Sequence, residues 1–137
     1  HSLSHRAFTL IEILIVVVIL GILAGIVMPQ FTDATEVSNE NTALSQLRSM
    51  RGQIALHDAT YVTPFDPLSN QWDQLVGNDM IMSAPPNPLQ DGSTTVAAAA
   101  ADGVGWVWAD LTGNGVDLYL VGGDGAVLVN PDTGDPY

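Results

Sequence analysis

The sequence predicts an α+β fold: a long N-terminal α-helix, apolar in its first half and amphipathic in its second, packed on a small C-terminal antiparallel β-sheet. Three observations predict it. An almost unbroken apolar run fills residues 8–28, apolar residues then recur at helical spacing to about residue 60, and short β-favouring runs separated by Asn-Gly and Asp-Gly pairs close the chain. With 137 residues there is material for one core of ordinary size. The organisation that follows is a leader-like basic segment (1–7), an apolar helix (8–30), an amphipathic helix (31–60), a Pro/Asn/Asp-rich region (61–102) and a β-meander with its tail (103–137).

The first element reads FTLIEILIVVVILGILAGIVM from Phe8 to Met28, with one ionisable side chain. As a helix it extends about 31 Å, the thickness of a bilayer core. A domain this small has no interior able to surround such a helix on every side, so a membrane span is the better reading. His1, His5 and Arg6 precede it, whereas fourteen acidic residues and only Arg48 and Arg51 follow Pro29. The positive-inside tendency puts the N-terminus in the cytoplasm and the remainder outside. A secretory signal peptide has a shorter apolar centre and ends at a small-residue cleavage site. Here the helical pattern continues: Thr32 and Asp33 offer N-cap oxygens, Glu36 completes a capping box with Asp33, and Val37, Leu44, Leu47, Met50 and Ile54 form one apolar stripe. Gly21, Gly25 and Pro29 predict a kink or a locally melted turn near the junction.

Glu12 stands five positions into the apolar run. Burying its carboxylate in hydrocarbon costs on the order of a few kcal/mol without a partner. Either it reaches headgroup water at the interface, or it pairs with a positive group on a neighbouring copy. A charge satisfied only by a neighbour makes association selective and fixes its register.

Residues 61–91 read as turns and extended loop, with a short helix predicted in Gln71–Met82 from Trp72, Leu75, Val76, Met80 and Ile81. The alanine run from Thr95 to Ala101 is loop or short helix. GVGWVWAD, VDLYLV and AVLVN are strand-like, and Asn114-Gly115 and Asp124-Gly125 are hairpin signals, which together predict a three-stranded antiparallel meander. Trp106 and Trp108 alternate about Val107, so both indoles face one side of the sheet, as core.

Several function classes are excluded. A net charge of −12 with no lysine leaves no basic face for a phosphate backbone, so direct nucleic-acid binding is not expected. The absence of cysteine removes disulfides, thiolate zinc sites and a cysteine nucleophile. No G-x-S-x-G, HExxH or phosphate-binding glycine loop occurs, and His57, alone beyond the apolar helix, reads as a packing or surface residue; an enzyme is not expected. Asp110, Thr112, Asn114 and Gly115 follow the start of an EF-hand loop, but Val121 stands where its bidentate carboxylate is needed. A looser oxygen site for calcium, drawn from Asp110, Asn114, Asp117, Asp124 or Asp132, is left open against the plain reading of Asp-Gly turns that need no metal.

Arg6-Ala7-Phe8-Thr9-Leu10-Ile11-Glu12, followed by ILIVVVILGILAGIVMPQF, resembles the N-terminal signature of type IV pilins and of the pseudopilins of type II secretion systems. The likeness covers about the first sixty residues. It implies cleavage between Ala7 and Phe8 by a prepilin peptidase, Ala7 standing where the family usually has glycine, and N-methylation of the new Phe8 amine. It implies that Glu12 pairs with the N-terminal ammonium of an adjacent subunit; for a chain starting at His1, Arg6 is the nearer cation. It implies that Pro29 marks the bend or unwinding of the helix in filaments, and that calcium, where present, sits near the C-terminus.

Two classes of function are thereby expected. One is a structural subunit held in the inner membrane before the assembly machinery builds it, as a homo-oligomer, into a helical type IV pilus-like filament outside the cell, or into a periplasmic pseudopilus. The lack of a C-terminal cysteine pair argues against the pilin form with a disulfide-closed loop. The other is a membrane-tethered binding module that stays single and has no need of Glu12.

Overall fold

This computed structural model describes residues 7–137, the side chains at positions 29 and 31–33 excepted. The elements in chain order are α1 (Leu10–Thr60), α2 (Pro67–Asn70), α3 (Asp73–Gly77), a 3-10 turn (Pro88–Gln90), β1 (Val96–Ala97), β2 (Trp106–Ala109) and β3 (Asp117–Leu120). The chain divides into two compact units, one ending at Val37 and one comprising Ser38–Tyr137.

In the first unit the α1 backbone is helical without interruption through Gly21, Gly25 and Pro29. The melted turn expected there is absent. An interior proline removes one donor and crowds the carbonyl four residues back, which favours a kink, yet the α1 backbone stays helical on both sides of Pro29. Thr32, Asp33 and Glu36 likewise lie inside α1, not at the start of a second helix, which corrects the boundary placed at residues 30 and 31 and the capping box placed there.

In the second unit, Ala43, Leu47, Ile54 and His57 form the buried stripe of α1, with Leu44 and Met50 half-buried beside them. Their spacing of four, seven and three keeps one face inward. Val37, read as the first member of the stripe, belongs to the other unit and is exposed. Phe65, Trp72, Leu75, Val96, Trp106, Leu118 and Leu120 complete the core. Its centre is aromatic: Phe65 meets Trp108 edge-on at 5.5 Å and Trp72 meets Trp106 edge-on at 5.6 Å between ring centroids. Each deeply buried indole N–H has an acceptor, Trp72 Nε1 donating to Thr94 O at 2.6 Å and Trp106 Nε1 to Pro85 O at 2.9 Å.

The α+β class holds, and the sheet is mixed. β2 and β3 pair antiparallel with Trp106 opposite Leu120, whereas β1 pairs parallel to β2 with Val96 opposite Trp106. The third strand therefore comes from the alanine-rich run, not from AVLVN. That last run makes only isolated bridges, Val121 to Val127 and Val129 to Pro136. Pro131 and Pro136 lack the N–H a ladder needs, and the tail turns back on itself through Gly134 N–H to Asn130 O at 2.7 Å. The β2–β3 connection is also wider than a two-residue hairpin: it spans residues 110–116, with positive φ at Gly113 and Gly115 but not at Asn114. The short helix expected within Gln71–Met82 is α3, and Gln71, with a positive φ, ends α2 just before it.

Trp106 and Trp108 do share a side, packed in and against the main core, while Val107 joins Tyr119 and Val121 in a smaller cluster on the other face. Asn87 links the pieces. It is fully buried; its Nδ2 donates to Gly105 O at 2.7 Å and Val121 O at 2.8 Å, and its Oδ1 accepts from Leu89 N at 2.9 Å.

Candidate functional site

The site that the sequence singles out lies in the first unit. Leu10–Met28 is a helical span of 19 residues, long and apolar enough to cross a membrane, and none of it is buried within the chain. Apolar side chains at successive helical positions, among them Ile11, Ile13, Leu14, Val18, Leu20 and Leu23, each remain 52 to 61% exposed. A helix apolar on all sides needs an apolar environment on all sides, from lipid or from other helices. Gly21 and Gly25 add to this: a Cβ at either would meet nothing within 4 Å, so neither glycine is required by packing inside the chain. Small residues one turn apart let a second helix approach closely.

Glu12 does not project from this helix as a solitary charge. Its Oε2 accepts from Thr9 N–H at 2.8 Å, and Glu12 N–H donates to Thr9 Oγ1 at 3.4 Å and to Thr9 O at 3.1 Å. This is a reciprocal capping box at the first turn of α1, where the positive end of the helix dipole also favours a carboxylate. The signal is present in the sequence as Thr9-x-x-Glu12 ahead of an apolar run, the same spacing as Asp33-x-x-Glu36. A carboxylate accepts several hydrogen bonds, so the contact with Thr9 leaves capacity for a second donor.

Ala7 and Phe8 precede the helix and are exposed, Phe8 at 81%, so the peptide bond between them is neither in regular structure nor covered. Residues 1–6, and with them Arg6 as a candidate partner of Glu12, lie outside the described residues. Pro29 is placed in the α1 backbone.

The four candidate calcium ligands serve local contacts. Asp110 Oδ1 accepts from Gly113 N at 2.6 Å, Asp124 Oδ1 from Ala126 N at 3.1 Å, and Asn114 Nδ2 donates to Thr112 Oγ1 at 3.4 Å. Asp117 Oδ2 already pairs with Arg51 Nε at 3.2 Å, and its Oδ1 accepts from Leu118 N. Among the described residues no group of three or more His, Cys, Asp or Glu side chains is placed to hold a metal. His57 is a packing residue: it is buried, its Nδ1 lies 3.3 Å from Asp58 Oδ1, and its ring stacks obliquely on Tyr61.

Comparison with known proteins agrees with this geometry. The prokaryotic N-terminal methylation motif matches residues 3–28. The chain carries the prepilin-type N-terminal signature of type IV pilins and type II secretion pseudopilins. It is 36% identical over 73 residues to a fimbrial protein of Pseudomonas aeruginosa, an overlap of 51% of this chain and 47% of that protein. It is 29% identical over 135 residues to the type II secretion system core protein G of Dickeya chrysanthemi, covering 96% of this chain and 83% of that one. With the type IV narrow pilus major component PilA5 of Thermus thermophilus it shares 39% identity over 51 residues, covering 37% of this chain and 44% of that protein. The chain spans about half the length of the fimbrial relatives it matches. No solved structure matches it.

Proposed function

We propose that this chain is a structural, non-enzymatic subunit that polymerises through its N-terminal apolar helix into a type IV pilus-like filament. The observation that carries this reading is the Leu10–Met28 helix, apolar around its whole circumference and unburied by its own chain. Lipid satisfies that surface before assembly, and identical helices satisfy it afterwards, in a heterologous contact that repeats without closing. The exposed Ala7–Phe8 bond is the place for prepilin peptidase to cut, after which the Phe8 amine becomes the substrate of N-methylation. The new ammonium of a neighbouring copy is the second donor for which Glu12 retains capacity. The inner membrane, the peptidase and the pilus assembly machinery are the partners this reading requires.

A second reading, the major pseudopilin of a type II secretion system, is favoured by one specific observation: the likeness to the Dickeya core protein G extends over 96% of the chain, whereas those to the fimbrial protein and to PilA5 cover 51% and 37% of it. Both readings place polymerisation in the same helix. The experiment that tests them co-expresses the full chain with a prepilin peptidase and either a pilus or a type II secretion assembly system, and examines sheared surface material by electron microscopy. Filaments containing the chain are expected with one of the two. A chain that is processed, resides in the membrane and forms filaments with neither is a tether, and the proposal fails.

A further inference from the structure

β1 lies at one edge of the sheet, paired on one side only. Trp106 N–H donates to Thr95 O at 3.0 Å, so in this parallel register Thr94 and Val96 turn their backbone groups away from β2. Such outward groups are a template for another strand. Here side chains occupy them. Val96 N–H donates to Gln71 Oε1 at 2.7 Å, Gln71 Nε2 donates to Val96 O at 3.0 Å, and Trp72 Nε1 donates to Thr94 O. One amide thus reproduces both hydrogen bonds that a neighbouring strand would make to Val96.

Gln71 is held there at a cost. Its backbone, at φ 52 and ψ −120, is in a region that favours glycine, and a non-glycine residue persists in such a conformation only when its surroundings determine it. Glycine would relax the backbone and leave the edge open. The opposite edge of the sheet is treated alike: Arg51 Nε donates to Leu118 O at 3.0 Å and Leu128 N to Leu120 O at 2.9 Å.

We propose that Gln71 is an edge guard, a strained residue whose amide closes β1 against strand addition by a second copy of this chain. The second copy is the fitting occupant because it presents the same extended Thr94–Ala97 run, and because any filament brings many copies to high local concentration. The choice of occupant rests on the proposed polymerisation, whereas the closing of the edge by Gln71 concerns the second unit alone.

The test uses the full chain in detergent micelles. Because the chain has no cysteine, Thr95→Cys, at an exposed position, introduces a single reporter of contact between edges. In the Gln71→Gly background hydrogen exchange at the Val96 amide should accelerate about tenfold, and the disulfide-linked dimer through position 95 should rise several-fold over the same reporter with Gln71 intact. Unchanged exchange shows that Gln71 does not hold the edge; faster exchange without more dimer shows that the open edge recruits no copy. Either result overturns the proposal. Should the glycine variant not fold, the same two readings are taken on Gln71→Met, which keeps the side-chain length but has neither the acceptor for Val96 N–H nor the donor for Val96 O.

Discussion

Asn87 offers a quantitative test of how the second unit is held together. Truncation to alanine removes three hydrogen bonds, to Gly105 O, Val121 O and Leu89 N. The three losses are unequal. Gly105 O keeps the N–H of Val121 at 3.2 Å, and Leu89 is only half-buried, whereas Val121 is fully buried and its carbonyl loses the amide of Asn87. One orphaned buried acceptor and two net hydrogen bonds sum to about 3 kcal/mol. For a unit of this size that lowers the thermal midpoint by on the order of 15 °C. Asn87→Asp separates hydrogen bonding from shape: it fills the same volume and retains the acceptor for Leu89 N–H, but sets a carboxylate against two carbonyl oxygens. It should cost at least as much as alanine. The assay is thermal unfolding of the full chain in detergent, followed by the fluorescence of Trp72, Trp106 and Trp108, all in the second unit. An Asn87→Asp midpoint within about 5 °C of the unsubstituted chain would refute the assignment of Asn87 as the hydrogen-bonding hub.

Three further outcomes are expected. Gly105→Ala places a Cβ against the Ser93 carbonyl, which belongs to backbone that cannot yield cheaply; denaturant unfolding should show a loss of about 2 kcal/mol. Arg51→Met removes the hydrogen bonds to Leu118 O and to Tyr137 O at 2.7 Å together with the half-exposed Asp117 pair; the same assay should register about 2 kcal/mol, with exchange quickening first in β3 and the tail. Thr9→Val in detergent keeps the bulk of the side chain but removes the N-cap oxygen, and hydrogen exchange at the Glu12 amide should quicken roughly fivefold, while exchange in the middle of the span stays unchanged.

Periodicity made the helical parts legible. Leu47 and Ile54 are buried as their spacing requires, and the Trp-Val-Trp alternation sends both indoles to the main core. What periodicity misses is set by single side chains acting over long separations. Nothing in Asn-Pro-Leu shows that Asn87 bonds residues 18 and 34 positions away, and nothing in a run of alanines shows that Val96 finds a parallel partner in Trp106. Gln71 was invisible for the same reason: its role depends on a backbone conformation that glutamine rarely adopts. The β2–β3 loop shows the limit of dipeptide signals, because Asn114-Gly115 is compatible with a tight turn but Asp110, by accepting from Gly113 N–H, organises a longer one. At the candidate site the apolar run and Glu12 are legible from hydropathy alone, whereas the Thr9 cap is not, because hydropathy registers the carboxylate but not a hydroxyl and a free amide three residues before it.

Glu12 is capped by Thr9 within its own chain, and the proposed filament requires a neighbouring copy to engage it on assembly. Replacing it by Glu12→Ala in the full chain, with processing and assembly components present, and quantifying membrane-inserted and filamentous protein side by side, tests that directly. The predicted result is normal insertion with filaments lost; filaments as abundant as those of the unsubstituted chain would contradict it.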